Sequence, residues 1–215
     1  MTPHVALNTA PPLPLIPGAK ERERFDFAVI ANWIPPGEHV LDLGCGDGKL
    51  LRYLRETKNV SGYGVEIDHE GVLGCIRNGV DVIQSDIEAS LSGFEDRAFN
   101  HVIISQALQA MHATESILGE MLRVAEEAVV SFPNFAFRAN REAIASGHMP
   151  VSEDLPYAWY DTPNVRFFTI ADFEALCAQL GIVVRERLAF DEAGRPVTDD
   201  PNLNGSLAFY RLGRT

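Results

Sequence analysis

From residue 20 onward, hydrophobic positions recur with two periods that alternate along the chain. "KERERFDFAVIANWI" sets Phe25, Ala28 and Val29 at helical spacing with Trp33 close behind, which predicts an amphipathic helix ending before Pro35-Pro36-Gly37. Beyond the prolines, "HVLDLG", "VSGYGVEID", "VDVIQSD", "FNHVIISQA" and "AVVSFP" predict strands. Between them, "KLLRYLRET", "HEGVLGCIRNG" and "TESILGEMLRVAEE" predict helices. Strands that are apolar almost throughout and joined through helices predict a largely parallel sheet covered on both faces.

From Asn134 to about Asn164 the alternation stops. This stretch offers a short helix around Arg141 to Ala145 and then aromatic residues punctuated by prolines. A loop of that length in a compact domain is usually functional, and residues 134–164 read as an inserted lid. "TIADFEALCAQLG" predicts a helix with Thr169 as N-cap, Asp172 as the capping acid and Gly181 as terminator. "IVVRERLAF" and "GSLAFYRLG" predict two closing strands, antiparallel because no helix separates them. Their connector "DEAGRPVTDDPNLN" is polar and reads as mobile. Residues 1–19, broken by Pro3, Pro11, Pro12, Pro14 and Pro17, read as a flexible arm, leaving 20–215 as a single α/β domain.

Composition narrows the partners. The chain has 215 residues, a size suited to one domain, and its 30 acids against 18 Lys and Arg give a net charge of −12. That balance opposes nucleic-acid and anionic-membrane surfaces and is compatible with a cationic small ligand. Cys45, Cys75 and Cys177 are far apart and show no metal-ligand spacing, so reduced thiols, a cytoplasmic location and no metal are expected. No apolar run reaches membrane-spanning length, and the N-terminus lacks the pattern of a signal peptide.

The chemistry concentrates in "VLDLGCGDGKLL". A strand stops at Asp42, and Gly44, Gly46 and Gly48 occupy the turn into a helix. Such glycines let backbone approach a ligand and adopt positive φ. The dinucleotide pattern G-x-G-x-x-G fails here, because its last position would be Lys49 or Leu51. A P-loop fails too, since no Ser or Thr follows Lys49. Asp42, with Asp47 inside the turn, is a poor neighbour for pyrophosphate and a good one for an ammonium or sulfonium. The next strand ends at Glu66, suited to ribose hydroxyls, and the third leads to Asp86 and Ile87, suited to an adenine amino group and ring. Three successive acids at carboxyl-end strand tips define one crevice.

These residues resemble the S-adenosylmethionine (SAM) site of the class I methyltransferase fold, whose D-x-G-x-G-x-G motif "DLGCGDG" matches in full. The resemblance implies a Rossmann-like, seven-stranded, mostly parallel sheet of order 3-2-1-4-5-7-6 with strand 7 antiparallel. It implies a SAM or S-adenosylhomocysteine site built from Asp42, Gly44, Cys45, Gly46, Gly48, Glu66, Ile67, Asp86 and Ile87, with Ser105 and Gln106 at the sulfonium end. No catalytic residue follows from it, and His112 reads as a surface residue or cap. "SQAL" stands where amide and base methyltransferases usually carry an N-P-P-Y-like motif, which weakens a nucleic-acid or glutamine substrate.

A closer resemblance, from about Phe25 to Leu188, is to the methionine biosynthesis protein MetW family. It rests on "WIPPGEHVLDLGCGDGKLL", "SQALQAM", "SFPNF" and "LPYAWYDTPNVRFFTIADFEALCAQLGI". Phe167-Phe168 and Phe137 depart from the family pattern, and the tail from Asp191 is expected to lie outside it. The resemblance implies action with homoserine O-acyltransferase in homoserine activation. Tyr157, Trp159, Tyr160 and Asp161 would then form a lid or a partner contact. The alternative it leaves open is a SAM-dependent methyltransferase acting on a small acceptor.

Overall fold

A computed structural model describes residues 19–214, with side chains from Phe25 onward; the expected Pro-rich arm lies outside the described residues. Helix α1 (Ala19–Trp33) leads into β1 (His39–Leu43), α2 (Lys49–Lys58), β2 (Ser61–Glu66), α3 (His69–Arg77) and β3 (Val82–Gln84). Then follow α4 (Ile87–Ser90), β4 (Phe99–Ser105), α5 (Thr114–Val124), β5 (Ala125–Pro133) and α6 (Arg138–Ala145). Helix α7 (Ile170–Gln179), β6 (Val183–Phe190), α8 (Pro201–Asn204) and β7 (Leu207–Gly213) complete the chain. The seven strands form one sheet of order β3-β2-β1-β4-β5-β7-β6. β1 to β5 pair in parallel, and β7 runs antiparallel to both β5 and β6, as the methyltransferase resemblance implied.

Successive side chains of a strand point to opposite faces, so one strand can feed two cores. In β4, Val102 and Ile104 join the cluster packed under α5 and α7, with Ile117, Leu118, Met121 and Phe173. Ile103 turns the other way, into the cluster of Phe25, Val29 and Ile30 from α1 and Leu50, Leu51 and Leu54 from α2. Helices on both faces bury every central strand, which is why the strands read as continuous apolar runs.

Local expectations fail where tertiary pairing overrides them. The helix expected to reach Glu127 stops at Val124, because Glu127 joins the ladder opposite Gly213 and pairs with Arg211 at 3.2 Å. β3 is only three residues long at the sheet edge, and Asp86 caps α4 instead of ending the strand. Helix α6 begins three residues before the expected Arg141. The polar connector after β6 carries α8 and is tied down: Asn134 Nδ2 donates to Asn202 O at 3.1 Å and Gly205 O at 2.8 Å. The capping box at α7 forms as expected, with Thr169 and Asp172 each accepting from the other's backbone N–H.

Candidate functional site

Asp42 is the penultimate residue of β1 and lies level with Gly64 of β2 and Ile103 of β4. It is 2% exposed. Burial first, and the neighbouring Glu66 carboxylate second, push its carboxyl up to about 7. The turn that follows is left-handed at all three glycines, with φ of 71° at Gly44, 54° at Gly46 and 76° at Gly48. Gly44 N–H and Cys45 N–H both donate to Val65 O, at 2.8 and 3.1 Å, which pins the turn to the end of β2.

Each glycine serves differently. A Cβ on Gly44 would stand 3.2 Å from Ala107 Cβ and 3.3 Å from Ile87 Cδ1, so the turn is pinched between the tip of β4 and the start of α4. A Cβ on Gly46 would meet nothing within 4 Å. Open space above a left-handed glycine is where a ligand can lie against backbone. Gly48 opens α2 as its N-cap. The Cys45 Sγ lies 4.0 Å from Gly46 O of this turn and packs 3.6 Å from Cys75 Sγ, and burial pushes its thiol well above the ordinary range.

Glu66 is buried, and its carboxylate braces the turn as well as facing Asp42. Oε2 accepts from Gly46 N–H at 2.8 Å and Oε1 from Asp68 N–H at 2.8 Å. Two of a carboxylate's four or so lone-pair positions are thereby used, leaving capacity for a ligand hydroxyl. Asp86 accepts from Glu88 N–H at 2.7 Å as the cap of α4, and Ile87 behind it is buried. Ile67, directly after β2, and Ile83, in the middle of β3, stand exposed. Ser105 ends β4 with its Oγ 3.1 Å from Ser131 Oγ.

Asp42, Gly44, Cys45, Gly46, Asp47, Lys49, Leu50 and Ser105 line one crevice of about 170 Å³ with Phe27 of α1, and Lys49 Nζ pairs with Asp47 Oδ2 at 2.9 Å. Gln106 follows directly. It holds a left-handed φ of 52°, its N–H donates to Ser131 O at 2.9 Å, and its Nε2 donates to Asp26 Oδ2 at 2.5 Å. Asp26 and Phe27 were missed in the sequence. The only signal was an acid set among the apolar residues of a helix otherwise read for packing. A larger cavity, about 510 Å³, lies between the N-terminal ends of α5 and α7 with Phe167, Phe168, Phe173 and Leu176 in its walls. Asp42 is not in its lining; that carboxylate lies at the smaller crevice, while Glu66, Asp86 and Ile87 are outside the lining of both.

The lid residues lie apart from the crevice. Tyr157 and Trp159 line a shallow cleft with Met149, Pro150, Leu155 and Phe167 that shares no residue with it. Trp159 and Tyr160 are 72% and 74% exposed and meet each other edge to face. Eight of the thirteen exposed large apolar side chains among the described residues fall between Ile144 and Phe167, so apolar exposure is concentrated in this segment. Backbone links this segment to the crevice. Gln109 O accepts from Val165 N–H at 3.0 Å and Arg166 N–H at 2.9 Å, while Gln109 Nε2 donates to Gln106 O at 2.6 Å. His112 is exposed, and its N–H donates to Glu88 Oε1 at 2.6 Å. Among the described residues no cluster of His, Cys, Asp and Glu could hold a metal, and no helix is long and apolar enough to cross a membrane.

Comparison with known proteins agrees with this fold. The profile of the family described as "Methionine biosynthesis protein MetW" matches residues 24–212, so the tail from Asp191, expected to fall outside, belongs to the match almost to its end. A bifunctional methionine biosynthesis protein MetXA/MetW from Rhodopirellula baltica is 39% identical over 205 residues, covering 88% of this chain and 33% of that protein. The chain therefore spans about a third of that relative's length. A SAM-dependent methyltransferase from Archaeoglobus fulgidus superposes with a TM-score of 0.69 at 16% identity, covering 92% of this chain and 95% of that one. The cyclase SpnF superposes with a TM-score of 0.65 at 14% identity, covering 91% and 82%. Likeness at that distance establishes the fold and leaves the chemistry open.

Proposed function

Because this chain belongs to the MetW family of methionine biosynthesis proteins and has a class I methyltransferase fold, we propose that it binds SAM and acts with homoserine O-acyltransferase in homoserine activation in the cytoplasm. The observation that carries the ligand is the buried Asp42–Glu66 pair: two facing acids, one with its carboxyl pushed up to about 7, gain most from a cationic ligand. In this reading Asp42 and the Gly44–Gly48 backbone hold the methionine part and Glu66 accepts from the ribose. Ile67, Asp86 and Ile87 hold the adenine, and Ser105 and Gln106 border the sulfonium. SAM supplies a permanent positive charge and an activated methyl group; the chain's own part is to bind, orient and desolvate it.

The partnership rests on the relative in which the names MetXA and MetW share one polypeptide. Joining two bodies by a linker raises their effective concentration to the millimolar range, a benefit only if they meet. The exposed Tyr157–Trp159–Tyr160–Asp161 stretch is the contact this reading favours, since aromatic side chains dominate binding energy in interfaces. The hydrogen bonds from Gln106 through Gln109 to Val165 and Arg166 give SAM occupancy a physical route to that surface. Purified acyltransferase assayed alone, with this protein, and with this protein plus SAM tests it. Stimulation that changes with SAM is expected; an acyltransferase fully active alone and unaffected by either addition refutes it.

A second reading is methyl transfer to a small acceptor, favoured by the roomy, aromatic-walled cavity between α5 and α7. Conversion of SAM to S-adenosylhomocysteine by the purified protein with a metabolite extract would support it.

A further inference from the structure

We infer that the proline-rich stretch 11–17 docks, as a polyproline II helix, on the aromatic face that the same chain presents at Tyr157, Trp159 and Phe167. This goes beyond the function proposed above: it gives that face an occupant carried by the chain itself, and it does not depend on the ligand of the crevice.

Residues 11–17 read "PPLPLIP", two P-x-x-P patterns that share Pro14, and no Asp, Glu, Lys or Arg stands between Met1 and Ala19. Proline fixes φ and has no N–H, so such a stretch favours an extended helix whose carbonyls are unpaired and whose donors are few. Its natural complement is aromatic surface bearing hydrogen-bond donors. Tyr157, Trp159 and Phe167 line one shallow cleft and stand exposed. Trp159 and Tyr160 meet with their planes 88° apart, so the two rings form an open corner. The Trp159 indole N–H and the Tyr157 and Tyr160 hydroxyls make no hydrogen bond among the described residues. The face is also held in shape. Ser152 N–H donates to Leu155 O at 3.0 Å, Leu155 N–H to Ser152 Oγ at 3.2 Å, and Asp161 N–H to Ala158 O at 3.2 Å. A preformed face and a preformed helix each lose little freedom on docking.

The two partners leave the same edge of the sheet. Helix α1 runs down from the carboxyl edge: Asp26 accepts from Gln106 Nε2 just past β4, and Trp33 Nε1 donates to Glu186 Oε2 at the far end. Ala19, the first residue of α1, therefore stands about 10 Å above Asp26 at 1.5 Å per residue. The aromatic segment departs from this edge after β5 ends at Pro133 and is pinned back to it where Gln109 O accepts from Val165 and Arg166 N–H. Gln109 Nε2 donates in turn to Gln106 O, so three hydrogen bonds lead from α1 to the end of that segment. Pro17 stands two residues before α1, and a seven-residue polyproline helix extends about 22 Å from there. Attachment raises the local concentration of the stretch to the millimolar range, so an affinity of only about 0.1 mM covers the face roughly nine-tenths of the time. Any other partner of the face must displace the arm.

The test follows, by fluorescence anisotropy, a labelled peptide of residues 8–18 added to the full chain as wild type and as a variant carrying P11S, P12S, P14S and P17S. The peptide should bind wild type about tenfold more weakly than the variant, because wild type supplies its own competitor at millimolar effective concentration. Adding Trp159→Ser and Tyr160→Ser to the variant should abolish binding. Equal affinity for wild type and variant, binding to neither, or binding that survives loss of both rings overturns the inference. Sedimentation identifies which chain supplies the arm. Wild type and variant should sediment alike; a wild-type dimer that becomes a monomer in the variant assigns the arm to a second copy and overturns docking within one chain.

Discussion

Replacing Asp42 by asparagine isolates the electrostatic cost of the crevice. In the folded chain the Asp42 carboxyl is pushed up to about 7, against 3.8 when solvated, by burial and then by Glu66. Between those two values the native state holds a proton that the unfolded state has lost. Stability therefore falls as pH rises through that window and levels off above about 7. Each unit of difference corresponds to 1.36 kcal/mol, so the full penalty approaches about 4 kcal/mol at alkaline pH and roughly 3 kcal/mol of it develops between about pH 5 and about pH 8. Asparagine keeps the shape and removes the charge. The variant should thus gain on wild type by up to roughly 3 kcal/mol over that interval, measured by urea unfolding of the ligand-free proteins at both pH values. Taking the difference between variant and wild type cancels every other titrating group. The same substitution should lower SAM affinity, and wild-type SAM affinity should itself fall about tenfold per pH unit below about 7 as Asp42 takes up its proton. A variant-minus-wild-type stability gap that stays flat with pH would refute the claim that Asp42 is a strained acid awaiting a cation.

Three further outcomes are expected. Gly64→Ala would set a Cβ 2.3 Å from Cys45 Sγ and should cost about 1–3 kcal/mol in chemical unfolding while displacing the glycine turn and weakening SAM binding; a neutral result would show that the turn tolerates movement. The double substitution Trp159→Ser with Tyr160→Ser should leave stability within about 0.5 kcal/mol, because both rings are exposed, yet lower affinity for the acyltransferase at least tenfold by surface plasmon resonance. Thr169→Ala removes one half of the α7 capping box and should cost about 1 kcal/mol in thermal or urea unfolding, without changing SAM affinity.

The sequence alone determined the kinds of element, the glycine turn and the acids that follow it. Side-chain direction repeats every second residue in a strand and about every 3.6 in a helix, so burial leaves its trace in local spacing. The motif from Asp42 to Gly48 is equally local: one turn must bend left-handed at three alternate positions, and only glycine does so cheaply. What the tertiary structure decided is how those acids are used. Glu66 reaches back to Gly46 N–H, Asp86 turns to cap α4, and Asp26 meets Gln106 from a helix far away in the chain. No period records such meetings, because they depend on which loops the sheet brings to one edge. The end of α5 shows the same limit, since Glu126 and Glu127 carry helical character but join β5 once β7 offers a ladder. Exposure is the other quantity only the fold supplies: Trp159 and Phe173 are both large apolar residues, and packing under the sheet buries one and leaves the other in solvent.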